Sequence, residues 1–285
     1  MLDRLGHRLT GATLSAAAVG ICLAIAGSSV AAGSVDTVGK LRYVRHAFQT
    51  KPSQEYLTVK AKCPRGTHVT GGGEVNDGGF GELNIVHTYP VDRGDPGSSP
   101  DDGWAVLLHN QGSHSGKVHA ICTKRKVRYA TETFQIATGA QNEFDLPCPA
   151  GTKVLSGGTR GPRTVIENSL FPVSDFEWGG YVENHSATDK SFTQTAVCAK
   201  VATTIQISDN DPIDPETRGS RSSACPGSQH VYGGGQDNSA GFDGIFASAM
   251  SPTGSDHDAW RAAVDNFSAS FTFTVRAYAV CGPAG

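Results

Sequence analysis

Six cysteines carry the clearest chemistry in this sequence: Cys63, Cys122, Cys148, Cys198, Cys225 and Cys281. Their even number, in a chain whose first residues read as an export signal, predicts disulfides. Six cysteines allow fifteen pairings, but they recur as a Cys-Pro pair and a closing Ala-Ile/Val-Cys, three times over. The repetition favours Cys63–Cys122, Cys148–Cys198 and Cys225–Cys281. Each bridge would close a loop of some 50–60 residues, stabilising the fold by roughly 4 kcal/mol. Zinc is the competing use of cysteine, and the Cys-x-x-Cys and His-x-His spacings it favours are missing from the sequence.

A second constellation could bind a ligand. Trp104, Trp178 and Trp260 are each followed six residues later by an asparagine, Asn110, Asn184 and Asn266. A tryptophan face with a polar partner suits sugar stacking. Core packing is nevertheless the default use of a repeated tryptophan, because the ring buries so much area. On an extended strand the two residues share a face but stand about 20 Å apart, so the asparagines read as strand ends entering turns.

Other clusters carry less. His109, His114 and His119 could gather a metal, although spacings of five put neighbours on opposite strand faces. The stretch VDRGDPGSSPDDG holds Asp92, Asp95, Asp101 and Asp102, which suits calcium, and an Arg93-Gly94-Asp95 tripeptide of the kind integrin-type receptors read. Asp209, Asp211 and Asp214 read as a solvated acidic turn, without the glycine and terminal glutamate of an EF-hand. GSHSG has histidine where a nucleophile elbow needs serine. Nothing in the sequence points to a catalytic residue, a metal or a cofactor, and a non-enzymatic protein is expected.

The elements that must position these residues are repeated. Counting from each Cys-Pro, the paired glycines fall at Gly72–Gly73, Gly157–Gly158 and Gly234–Gly235, preceded by Gly71, Ser156 and Gly233. A proline follows (Pro90, Pro172, Pro252), then the tryptophan, the asparagine and the closing cysteine. Apolar residues alternate with period two between Gly, Pro, Asn and Asp clusters, which predicts short antiparallel strands. In the first copy these are 43–50, 56–63, 68–74, 82–89, 104–110 and 117–123. Glycine pairs inside a strand mark the close approach of another group, here expected to be a tryptophan ring or a neighbouring sheet.

The expected fold is therefore all-β. Three antiparallel β repeats form a pseudo-threefold, β-prism-like body of four-stranded sheets; the alternative is three tandem small β-sandwiches. The expected divisions are a signal peptide over 1–32 and repeats over 33–124, 125–200 and 201–285. Arg4 and Arg8 precede the apolar run from Leu14 to Ala26 and a small-residue cleavage site after Ala32. A net charge of −3 without a basic stripe gives no electrostatic support for nucleic-acid binding, and no later stretch is apolar for the length of a membrane span. A soluble, secreted protein is expected, with a cell-surface glycan or protein as its partner.

The pattern Cys-Pro-x-Gly-x-x-Val-x-Gly-Gly-Gly, proline, tryptophan and Ala-Ile/Val-Cys resembles repeat units of exported actinobacterial proteins, a group mostly uncharacterised. Similar single units follow collagen-like stretches, which implies a module suited to threefold assembly. There is a looser architectural likeness to vitelline membrane outer layer protein, a β-prism with disulfides, without a motif identity that would transfer its sites. The resemblance implies a structural or surface-binding role. A carbohydrate-binding, lectin-like protein is the next reading, and an extracellular polysaccharide hydrolase the last.

Overall fold

The computed structural model describes residues 33–92, 99–241 and 244–284. The signal-peptide reading and the Arg93-Gly94-Asp95 tripeptide lie outside the described residues. Residues 33–124 form β1 (Ser34–Val38), β2 (Leu41–Gln49), β3 (Tyr56–Lys62), β4 (His68–Asn76), β5 (Leu83–Val91), β6 (Gly103–Asn110) and β7 (Ser115–Thr123). The strands predicted for this stretch match these to within a few residues. Residues 125–200 form β8 (Val127–Ile136), β9 (Gln141–Pro147), β10 (Lys153–Arg160), β11 (Val165–Ser174), β12 (Glu177–Asn184) and β13 (Lys190–Ala199). The last stretch forms β14 (Thr204–Ile207), β15 (Asp211–Ile213), β16 (Thr217–Ala224), β17 (Gln229–Asn238), β18 (Ile245–Thr253), β19 (Ala259–Asn266) and β20 (Phe273–Pro283). The fold is all-β, in antiparallel sheets of which none closes on itself.

Each stretch builds two small antiparallel groups. One has the last strand at its centre, between an opening strand and the glycine strand: β2–β7–β4 (with β1 beyond β2), β8–β13–β10, and β14 and β15 on β20–β17. The other has the tryptophan strand at its centre: β3–β6–β5, β9–β12–β11 and β16–β19–β18. The groups are then joined between stretches. Glu74 of β4 pairs with Met250 of β18, and Gln236 of β17 with Leu170 of β11, which produces two seven-stranded sheets. At the third junction, β10 meets β5 through side chains. Glu167 Oε1 accepts hydrogen bonds from the backbone N–H of Thr88 (2.7 Å) and of Thr159 (3.1 Å).

Sheets are thus shared between stretches, and the described residues form one compact unit. Tandem independent sandwiches do not form. The expected four-stranded sheets are corrected as well: the sheets hold three or seven strands, because β4 and β17 each continue onto the proline strand of a different stretch, whereas β10 meets β5 without joining its sheet.

The glycines make that continuation possible. A Cβ on Gly72, Gly157 or Gly234 would run into Trp104, Trp178 or Trp260 respectively. A Cβ on Gly73, Gly158 or Gly235 would run into the backbone carbonyl of Met250, Thr88 or Leu170, each in the adjoining stretch. One face of each strand therefore receives a ring, and the next residue receives a neighbouring strand. The three tryptophans are at most 1% exposed. A bulge precedes each glycine pair, at Thr70, Leu155 and Tyr232, and another interrupts each proline strand, at Val86, Asn168 and Ser248. Such bulges sharpen local twist and bend the strand.

All three expected disulfides form: Cys63–Cys122, Cys148–Cys198 and Cys225–Cys281. Each ties the segment leading into a glycine strand to the last strand of the same group, across sequence separations of 59, 50 and 56 residues. Replacing Cys148 and Cys198 together by alanine is expected to lower unfolding stability by about 4 kcal/mol, read as a lower denaturant midpoint. An unchanged midpoint would show that packing alone holds that loop.

Candidate functional site

The asparagines belong to the scaffold. Asn110, Asn184 and Asn266 end β6, β12 and β19 and are all buried. Each donates its side-chain amide to loop carbonyls: Asn110 to Lys51 and Gln54, Asn184 to Ile136, Ala137 and Thr188, Asn266 to Ile213, Asp214 and Phe271. The tryptophan faces are covered by the glycine strands. Trp104, Trp178, Trp260 and their asparagines therefore offer no sugar-stacking surface, and the ligand reading of these six residues is corrected. A ring that fits over bare backbone loses its exposed face to that fit.

The three histidines do not converge on a metal. His109 lies 5.1 Å from Tyr56, ring centre to ring centre. His114 approaches Glu82 at 3.8 Å. Burial, and then the nearby Arg45, His257 and Lys117, push the His119 pKa down to about 3. Among the described residues no three His, Cys, Asp or Glu side chains are grouped to hold a metal ion. Asp101 pairs with His68 at 2.6 Å. Asp211 belongs to strand β15, paired with β20, and meets Arg221 at 2.7 Å, so the acidic turn is in part a sheet edge.

The groups that do converge are different ones. A cavity of about 250 Å³ opens where the three stretches meet. Counting six residues back from Pro90, Pro172 and Pro252 gives Asn84, Ile166 and Phe246, and all three line it. Ile85 and the bulged Val86 supply further aliphatic wall. Tyr56, His109 and Phe267 supply rings, and Phe267 packs edge-on against Phe246 at 5.3 Å. Arg163, on the turn before β11, lays its guanidinium over the Tyr56 ring at 4.6 Å.

A buried polar network stands behind one wall. Asn84 donates to Asp265 Oδ2 at 2.8 Å, and Arg218 grips the same carboxylate through Nε (2.6 Å) and one terminal nitrogen (3.0 Å). The Gly81 N–H also donates to Asp265, at 2.9 Å. Ionised donors and acceptors make such bonds strong, and a fully buried carboxylate requires them. Near it, Glu74 is buried with one oxygen taking a bond from Asn76 and the other left without a partner. Burial pushes its pKa up to about 8, against the pull of Asn76 and Arg218.

Sequence reasoning missed Tyr56, Asn84, Arg163, Ile166, Phe246 and Phe267. A usable signal existed: corresponding positions occupied by Asn, Ile and Phe in an otherwise regular pattern. Positions that keep one residue type serve packing common to every stretch, whereas positions that differ shape what happens once. Fold and site define a disulfide-bonded, all-β protein with a single-ring-sized, aromatic-walled cavity at the meeting of its three stretches. No protein-family model and no curated protein matches the chain. Among the described residues no helix is long and apolar enough to cross a membrane.

Proposed function

We propose that this is an exported, non-enzymatic binding protein: a disulfide-stapled, pseudo-threefold β scaffold that presents the cavity to an extracellular ligand. The observation that carries the reading is the convergence of Asn84, Ile166 and Phe246 on one cavity. Three spacers of matching position and unlike chemistry make a concave, mostly apolar site with a few polar groups, the usual form of a small-molecule pocket. Its lining favours binding over catalysis. The ionisable side chains there are Arg163, Tyr56 and His109, without a carboxylate pair or a nucleophile beside a base. The disulfides suit an oxidising, extracellular setting, and the resemblance to exported repeat proteins points the same way.

A ligand-observed NMR screen of ring-bearing fragments against the full mature chain tests this. Fragments are expected to bind and to be displaced by Ile166→Trp, which fills the cavity. Phe246→Ala, which enlarges it, should change the rank order of hits. Binding indifferent to both substitutions would overturn the reading. So would turnover of a cell-wall polysaccharide lost on a single carboxylate substitution.

A further inference from the structure

We infer that the cavity takes a small aryl carboxylate, a flat six-membered ring bearing one short acidic arm; this rests on the cavity being a binding site. Size comes first. A cavity of about 150 Å³ accommodates benzene, so about 250 Å³ holds one ring and a short substituent, and most of an oligosaccharide would lie outside it. Wall chemistry comes next. Ile85, Val86, Ile166, Phe246 and Phe267 give carbon surface on several sides, matched by a flat apolar body rather than by a sugar, whose hydroxyls each need a partner when desolvated. Asn84 adds little to a sugar site, because its amide nitrogen is bonded to Asp265.

Charge fixes the other end. Arg163 is the one cationic side chain on the lining. It is exposed and held over the Tyr56 ring, without a carboxylate partner among the described residues. A guanidinium pre-positioned by an aromatic face keeps its fork of N–H donors for a carboxylate. Asp265, the buried acid bonded to Asn84 of the wall, is neutralised by Arg218, so an incoming anion does not meet an unpaired negative charge there. Gln111, exposed beside the cavity, supplies a further amide donor for the acid.

Titration calorimetry on the full mature chain with four probes tests the inference: phenylacetate, its uncharged isostere phenylacetamide, cyclohexylacetate and N-acetylglucosamine. Phenylacetate is expected to bind at least tenfold more tightly than phenylacetamide. Arg163→Gln, a substitution on an exposed turn, should erase that preference by weakening phenylacetate at least tenfold more than phenylacetamide. Ile166→Trp should abolish both. Equal affinities for acid and amide, or a preference that survives Arg163→Gln, would overturn the aryl-acid assignment and leave the cavity reading standing. Tighter binding of cyclohexylacetate would overturn the aromatic part, and tighter binding of the sugar would return the site to a lectin. Absence of binding by all four at millimolar concentration, together with an empty fragment screen, would overturn both readings.

Discussion

Replacing Gly72 by alanine is expected to cost about 3 kcal/mol or more and, with the larger side chain in Gly72→Val, to prevent folding. The added Cβ would fall inside the Trp104 side chain and against the carbonyl of His119 on β7. Neither can move alone. Trp104 is buried, with its indole N–H donated to Thr88, and His119 belongs to the antiparallel ladder that pairs β7 with β4. Overpacking of a well-filled core ordinarily costs 1–3 kcal/mol, and a clash with backbone as well as with a locked ring sits at or above that range. Gly241→Ala is the control, because a Cβ there meets nothing within 4 Å; it should shift the melting temperature by a degree or two at most. If Gly72→Ala melts like Gly241→Ala, the ring-on-backbone account of the glycine pairs fails.

The residue before each glycine pair shows the same constraint at lower intensity. Ser156 carries a side chain, and its hydroxyl donates to the Thr70 carbonyl at 2.6 Å. A Cβ on Gly233 would come within 2.6 Å of the Ser156 Cβ, and one on Gly71 within 3.3 Å of it and 2.7 Å of the Tyr232 carbonyl. The three positions share one small space. One of them holds a serine, and the other two are glycine in consequence.

Stability is expected to peak on a plateau between about pH 4.5 and 6.5 and to fall on both sides. On the alkaline side the cause is Glu74, whose pKa rises from 4.5 to about 8 through burial. Between those values the folded state holds a proton that the unfolded chain has released, so stability decreases as pH rises, by about 1.4 kcal/mol per pH unit. Over the whole window the loss reaches roughly 5 kcal/mol. His119 acts with the opposite sign. Its pKa falls from 6.5 to about 3, so between those values the unfolded chain holds the extra proton and stability decreases as pH falls. From 4.5 to 6.5 the two slopes cancel, which leaves the plateau.

Two substitutions separate the arms. Glu74→Gln borrows the residue found at the corresponding place in the third stretch, Gln236, and should flatten the decline above pH 6.5. His119→Thr borrows Thr195, three residues before the closing cysteine of the second stretch, and should flatten the decline below pH 4.5. Denaturant midpoints across pH 3–9 give both slopes, independently of any constant offset that each substitution introduces. An alkaline limb that persists in Glu74→Gln would show that the decline has another source and would overturn its assignment to Glu74.

Much of this architecture is legible in one dimension. The cysteine spacing names the pairs, because three copies of one pattern leave a single consistent pairing. Period-two patterning places the strands of the first stretch to within a few residues, because alternate side chains on a half-buried strand face different media. Glycine pairs and tryptophans recurring together announce that the one packs on the other. Asparagines ending strands are legible too, although the loop carbonyls they bond are not.

The sequence by itself therefore determined an all-β chain, its three covalent staples and its recurring ring-on-glycine packing, since each depends on residues repeated at regular spacing. Only the tertiary structure decided which stretch each glycine strand meets, and that β4 and β17 join the neighbouring sheet while β10 does not, since that follows from bulges and twist accumulated over whole strands. It alone fixed how completely Trp104, Trp178 and Trp260 are covered, because a residue's type records the apolar surface it could bury and not how much of it neighbouring strands reach. And it alone brought Asn84, Ile166 and Phe246, far apart in the chain and unlike in kind, to one cavity with Arg163 at Tyr56. Contact between distant positions is a property of how strands dock, and no local pattern encodes it.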